Sequence, residues 1–134
     1  MAELVLDKHP HFKYCKETLY VFDKQSGLWT NNTSKHYAIV YENLCGEVGS
    51  KVLTAMKIKS ICIHITSMTI EDNWLADNAN SSLGKLLFNN GYFDGDEGEC
   101  GKFYTEFNPD IVFMNKIYMD LPCDVDESYK TDVL

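Results

Sequence analysis

Asn90-Gly91, set between Leu86-Leu-Phe-Asn89 and Tyr92-Phe-Asp94, restricts the folding of this chain more than any other stretch. An Asn-Gly pair between apolar runs predicts a β-hairpin with a type I′ turn, because both central positions need positive φ. A second hairpin is predicted upstream. Thr18-Leu-Tyr-Val-Phe-Asp23 is a β-branched and aromatic run, Lys24-Gln-Ser-Gly27 supplies turn residues, and Leu28-Trp-Thr30 returns.

Between the hairpins the period changes. Thr33 or Ser34 is placed to cap a short helix carrying Tyr37, Val40, Tyr41 and Leu44, which Gly46 ends. Ser50 is a second N-cap candidate. Ala55, Ile58, Ile61, Cys62, Ile65 and Met68 then recur at steps of three and four. Ile61, Ile63 and Ile65 also alternate as a strand would, so residues 58–66 fit either element; the length of the stripe favours helix. Thr69-Ile-Glu-Asp72 has capping-box spacing ahead of Trp74 and Leu75, and Asn78 to Ser82 is a polar break. After the second hairpin come an acidic, glycine-rich loop (Asp94 to Gly101), a strand from Lys102 to Thr105, a turn at Asn108-Pro-Asp110 and an apolar segment from Ile111 to Met119. Strands, helices, then strands predict an α+β fold, with two β-hairpins flanking a helical middle. At 134 residues this is one small domain, with a core from about residue 12 to 121 and an acidic, loose tail over 122–134.

Charge narrows the partners. All 12 basic residues are Lys, so no arginine finger and no bidentate guanidinium grip on phosphate or guanine can come from this chain. The absence of Arg beside many Asn, Ile and Tyr suggests an AT-rich genome. Residues 1–91 hold nine Lys and nine carboxylates, while residues 92–134 account for the net charge of −8. Phosphate is repelled by the second half, so any contact with nucleic acid is expected from the first. Cysteines at 15, 45, 62, 100 and 123 are odd in number and widely spaced, and no secretory signal precedes them. Reduced thiols and an intracellular protein that is neither secreted nor membrane-bound are expected.

No catalytic constellation emerges. Gly46-Glu-Val-Gly49-Ser-Lys51 has two residues between its glycines where a phosphate loop needs four, and reads as a turn between helices. His9, His11 and Cys15 are close in sequence but have no second ligand pair, so a solvated segment is expected instead of zinc. His64 is expected as a hydrogen-bonded core histidine. Asp94, Asp96, Glu97 and Glu99 miss the calcium-loop spacing, and no Gly-x-Ser-x-Gly turn is present. The Asn-x-Ser/Thr matches at Asn31, Asn32 and Asn80 read as accidental in a non-secreted chain. Trp29, Lys35, His36 and Tyr37 combine aromatic rings with positive charge, a pattern that can stack single-stranded bases, although such residues are more often core and rim of a small domain.

Leu19-Tyr-Val-Phe-Asp23, the Gly27-Leu-Trp29 return, the helical middle, Leu86-Leu-Phe-Asn-Asn-Gly-Tyr-Phe-Asp94 and Lys102-Phe-Tyr-Thr105 together resemble one known domain. It is the domain preceding the helicase in the primase–helicases of poxviruses, other large DNA viruses, phages and plasmids. Tyr92 stands where that family has a small aliphatic residue. The resemblance runs from about Phe12 to Leu121 and makes Trp29, Asn90, Gly91 and Asp94 signature positions that serve the fold. It implies a non-catalytic collar or connector that helps a superfamily-three ring assemble and guides single-stranded or duplex DNA. The adjacent primase and helicase domains and further copies of the chain would be its partners. No cofactor is implied for this segment, ATP and magnesium belonging to the neighbouring helicase, and the 134 residues would be a piece of a longer protein at work in a host cell. The alternative is a stand-alone viral or bacterial protein-interaction module; a small enzyme using a cysteine or the acidic loop is a further rival.

Overall fold

The computed structural model describes residues 1–121. Strands β1 (Phe12–Cys15), β2 (Thr18–Phe22) and β3 (Trp29–Thr30) form one antiparallel sheet in that order. Strands β4 (Lys85–Phe88), β5 (Gly91–Asp94) and β6 (Lys102–Tyr104) form a second. Helix α1 (Ala2–Lys8) precedes the first sheet, and α2 (Thr33–Val48), α3 (Ala55–Met68) and the single turn α4 (Trp74–Asp77) lie between the sheets in sequence. The architecture is the α+β arrangement of two hairpins around a helical middle, each hairpin extended to three strands.

The turns differ from expectation in register. In the second hairpin Phe88 pairs with Gly91, so Asn89 and Asn90 form the loop and Gly91 is already strand. Neither asparagine has positive φ, so no type I′ turn forms there. Gly91 is needed for close approach instead: its φ is +151°, and a Cβ on it would lie 2.0 Å from the Tyr104 carbonyl oxygen. Left-handed conformation is found at Lys16 (φ 47°) and Glu17 (φ 66°), the two-residue loop between Cys15 and Thr18. Such a pair costs roughly 1–2 kcal/mol per residue outside glycine. The neighbouring segment offsets it. Lys16 N–H donates to Asp72 Oδ1 at 3.2 Å, Tyr14 N–H to Thr69 O at 3.0 Å and Glu71 N–H to Tyr14 O at 2.9 Å. Residues 69–72 therefore extend the edge of β1 and do not act as a capping box; α4 starts after Asn73 with no side-chain cap.

The helices run between caps other than those expected. Asn32, not Thr33 or Ser34, accepts the Lys35 N–H and starts α2. The helix passes through Gly46 and ends at Gly49, whose φ of +79° supplies the left-handed stop. Thr54, not Ser50, caps α3 by accepting the Lys57 N–H. Within α3 the buried residues are Ile58, Ile61, Cys62 and Ile65. That spacing settles residues 58–66 as helix and leaves Ile63 exposed.

The main core begins before Phe12. Ala2 and Val5 of α1 are buried with Phe12, Val21, Val40, Leu44, Ile61 and Ile65. A second cluster, Cys15, Phe22, Trp29, Trp74 and Val112, leads to a third made of Leu87, Tyr92, Ile111 and Phe113. Residues 111–119 adopt neither helix nor strand. They act as a strap: Val112 N–H donates to Ser81 Oγ at 2.9 Å and Ile117 N–H to Leu87 O at 2.8 Å. The expected loose tail, with Cys123, lies outside the described residues.

Candidate functional site

Trp29 joins the two halves. Its backbone N–H donates to Phe113 O and its indole Nε1–H to Pro109 O, both at 2.9 Å. The ring sits 4.8 Å from Trp74 and 5.8 Å from Phe22 between centroids, and the residue is 3% exposed. A ring so enclosed offers no face to a base. His36 is also buried, with Nε2 3.2 Å from Thr30 O, and burial lowers its pKa. Tyr37 is half-buried against the main core. Lys35 is exposed, its Nζ 3.4 Å from Asp23 Oδ2. These four residues therefore do not form one open stacking surface.

Asp23 organises the first turn. Gln25 N–H and the Ser26 hydroxyl donate to its two carboxylate oxygens. Burial alone would raise its pKa, but these bonds and Lys35 outweigh that and hold it below the ordinary value.

Two clefts flank Lys24. One, of about 310 Å³, is lined by His9, Asp23, Gln25, Lys35 and Asn43 among others; the other, of about 470 Å³, by His11, Phe22, Thr105, Glu106, Phe107 and Pro109. His9 is 3% exposed, so residues 9–15 are not the solvated segment expected. Among the described residues its Nε2 has no hydrogen-bond partner, and burial, with Lys24 nearby, pushes its pKa down to about 4. The imidazole is neutral at pH 7. His9 and His11 have ring centroids 6.2 Å apart, while Cys15 is buried and donates to Asp72 O. Among the described residues no group of three His, Cys, Asp or Glu is arranged to hold a metal ion. His64 is exposed, contrary to expectation, since the helical period turns it away from the Ile58–Ile65 stripe. Sequence patterning singled out His9 but missed its burial, because nothing local marks a residue enclosed by the packing of α1.

The other signature positions also make structural contacts. Asn90 bonds the backbone of Leu121 through both ends of its amide. Asp94 accepts from Asp96 N–H and lies 3.8 Å from Lys85 Nζ. In the adjoining loop the Tyr104 hydroxyl is bonded to Glu97.

A third cleft, of about 480 Å³, lies between β4 and the strap, with Leu75, Lys85, Leu86 and Lys116 in its walls. Among the described residues no helix is long and apolar enough to cross a membrane.

No family model matches the chain. It is 26% identical over 126 residues to a Sputnik virophage protein described as "Putative helicase V13". The chain is similar to part of a viral helicase-related protein. The match covers 83% of this chain and 16% of that protein's length.

Proposed function

We propose that this chain is a non-catalytic collar or connector domain of a viral-type DNA replication primase–helicase, assisting ring assembly and guiding DNA to the ATPase. The observation that carries the reading is the likeness to the virophage protein, which takes in most of this chain yet only 16% of the relative. A domain serving a neighbouring motor has that proportion. The sequence supports it by holding no Gly-x-x-x-x-Gly-Lys-Ser/Thr loop of its own, so ATP and magnesium would be held by the adjacent helicase domain. The primase and helicase domains of the same chain, and further copies in a ring, would be its partners. Contact with single-stranded or duplex DNA would fall to exposed Lys24 and Lys35 in the less acidic first half, since Trp29 and His36 are enclosed.

A stand-alone interaction module is the second reading, favoured by Leu83 and Tyr118, which are 69% and 78% exposed. Reading the gene past the codon for Leu134 tests both. An open frame carrying the phosphate-loop spacing is expected; a stop codon directly after Leu134 would remove the motor and favour the interaction module.

A further inference from the structure

Helix α3 presents an outward face that combines aliphatic surface with positive charge. Met56 is 83% exposed and Ile63 61%, and two full turns of helix place them on one side. Exposed Lys57 and Lys59 flank them. From Val48 to Ile70 the chain has three lysines and no carboxylate, a local reversal of sign in a protein of net charge −8. Among the described residues no carboxylate is within ion-pair distance of Lys57 or Lys59.

A patch of opposite sign lies on the second sheet. Leu83 is 69% exposed and Leu86 51%. Gly95 N–H donates to Gly84 O at 2.9 Å, and a Cβ on Gly84 would lie 2.1 Å from the Asp96 carboxylate, so Asp96 rests directly against the Leu83–Gly84 turn. Exposed Glu97 and Glu99 follow in the same loop.

Each patch joins two exposed aliphatic side chains to charge. On α3 the charges are Lys57 and Lys59. On the sheet they are Asp96, Glu97 and Glu99, which outnumber the half-buried Lys85 between Leu83 and Leu86, whose ammonium is turned to the Leu83 carbonyl and Asp94. We propose that the α3 face of one copy docks on the Leu83, Leu86 and Asp96 patch of a second copy, head to tail. The aliphatic pairs exclude water from the contact while Lys57 and Lys59 meet the acidic loop, and complementary charge fixes the orientation. A contact between unlike patches closes into a ring or runs on as a filament, according to the rotation it imposes. The proposal rests on the ring reading above for why copies meet, and on the two patches for where they meet.

Sedimentation velocity on the 134-residue protein tests it. At low salt the sedimenting mass should exceed that of a monomer and rise with concentration, falling back in high salt as the charges are screened. The double variants Lys57→Glu/Lys59→Glu and Asp96→Lys/Glu99→Lys, all at exposed positions, should each remain folded by circular dichroism and sediment as monomers. Mixed in equal amounts they should associate again, because each reversed face matches the other. A wild-type protein monomeric at every concentration in low salt, association indifferent to either variant, or a mixture that stays monomeric would each overturn the contact. A downstream motor motif beside a monomeric protein removes this contact alone; association in a protein whose gene encodes no motor removes the collar reading alone.

Discussion

Asn90 grips Leu121 by both ends of its side-chain amide: Nδ2–H donates to Leu121 O at 2.8 Å, and Leu121 N–H donates to Oδ1 at 2.9 Å. One side chain thus stands in for a pairing strand and ties the end of the strap to the β4–β5 loop. Asn90→Ala loses both bonds, at about 1 kcal/mol each, and should destabilise by about 2 kcal/mol. Asn90→Asp keeps an acceptor for the Leu121 N–H but turns a carboxylate oxygen toward the Leu121 carbonyl oxygen, so it should cost more than the one lost bond. Denaturant unfolding measures both, and hydrogen exchange at the Leu121 amide should quicken first. Equal stability of wild type and Asn90→Ala would rule the clamp out.

Gly91 and Gly46 should respond in opposite directions to an added methyl group. Gly91→Ala drives a Cβ into the Tyr104 backbone, and Gly91→Val adds branching; loss of folding is expected for Val and several kcal/mol of destabilisation for Ala. Gly46 lies in α2, and among the described residues nothing comes within 4 Å of its would-be Cβ. Gly46→Ala should stabilise by about 0.5–1 kcal/mol. Thermal melts of the two Ala variants check the pair, and unchanged stability of Gly91→Val would contradict the β5–β6 contact.

Trp29→Phe removes the indole N–H and leaves the Pro109 carbonyl without that donor, while much of the ring packing on Trp74 remains. A loss of about 1–3 kcal/mol is expected, against about 3–5 for Trp29→Ala. Finding the same stability for both variants would mean that the ring packing contributes little.

Acid should weaken the fold through its buried imidazoles. His9 has its pKa held at about 4 in the native state, against 6.5 for an ordinary imidazole. Below the ordinary value the unfolded chain takes up a proton that the native state refuses. Stability is therefore level above about pH 6.5 and falls as the pH drops toward 4, by up to about 3 kcal/mol for this residue. His11 and His36 are shifted in the same direction and add to the slope. Unfolding titrations across this window should be shallower for His9→Leu than for wild type; superimposable pH profiles would refute the assignment.

Thiol reactivity should follow burial. Cys100 is exposed, Cys15 and Cys62 are buried, and burial raises the Cys62 pKa to about 11. Iodoacetamide at neutral pH should modify Cys100 in the native protein and reach Cys15 and Cys62 only once denaturant is added, as peptide mapping by mass spectrometry would show. Rapid native alkylation of Cys62 would instead point to a reactive thiol.

The amino-acid sequence by itself determined the features set by neighbours within a few residues. The two hairpins, the α3 stripe and the α+β order follow from side-chain period, and period is a local property. Tertiary packing decided the rest. Lys16-Glu17 takes the left-handed turn although neither residue favours it, because residues 69–72, more than fifty positions away, bond to that turn and to Tyr14 beside it. Gly91 moves out of its turn and into a strand because the Tyr104 carbonyl needs the space of its missing side chain. Trp29 and His36, for which the sequence favours core over base stacking without deciding it, are core because Phe22, Trp74 and the strap enclose one and α2 folds the other onto β3. Burial is a sum over contacts distant in the chain, and no window of neighbouring residues contains that sum.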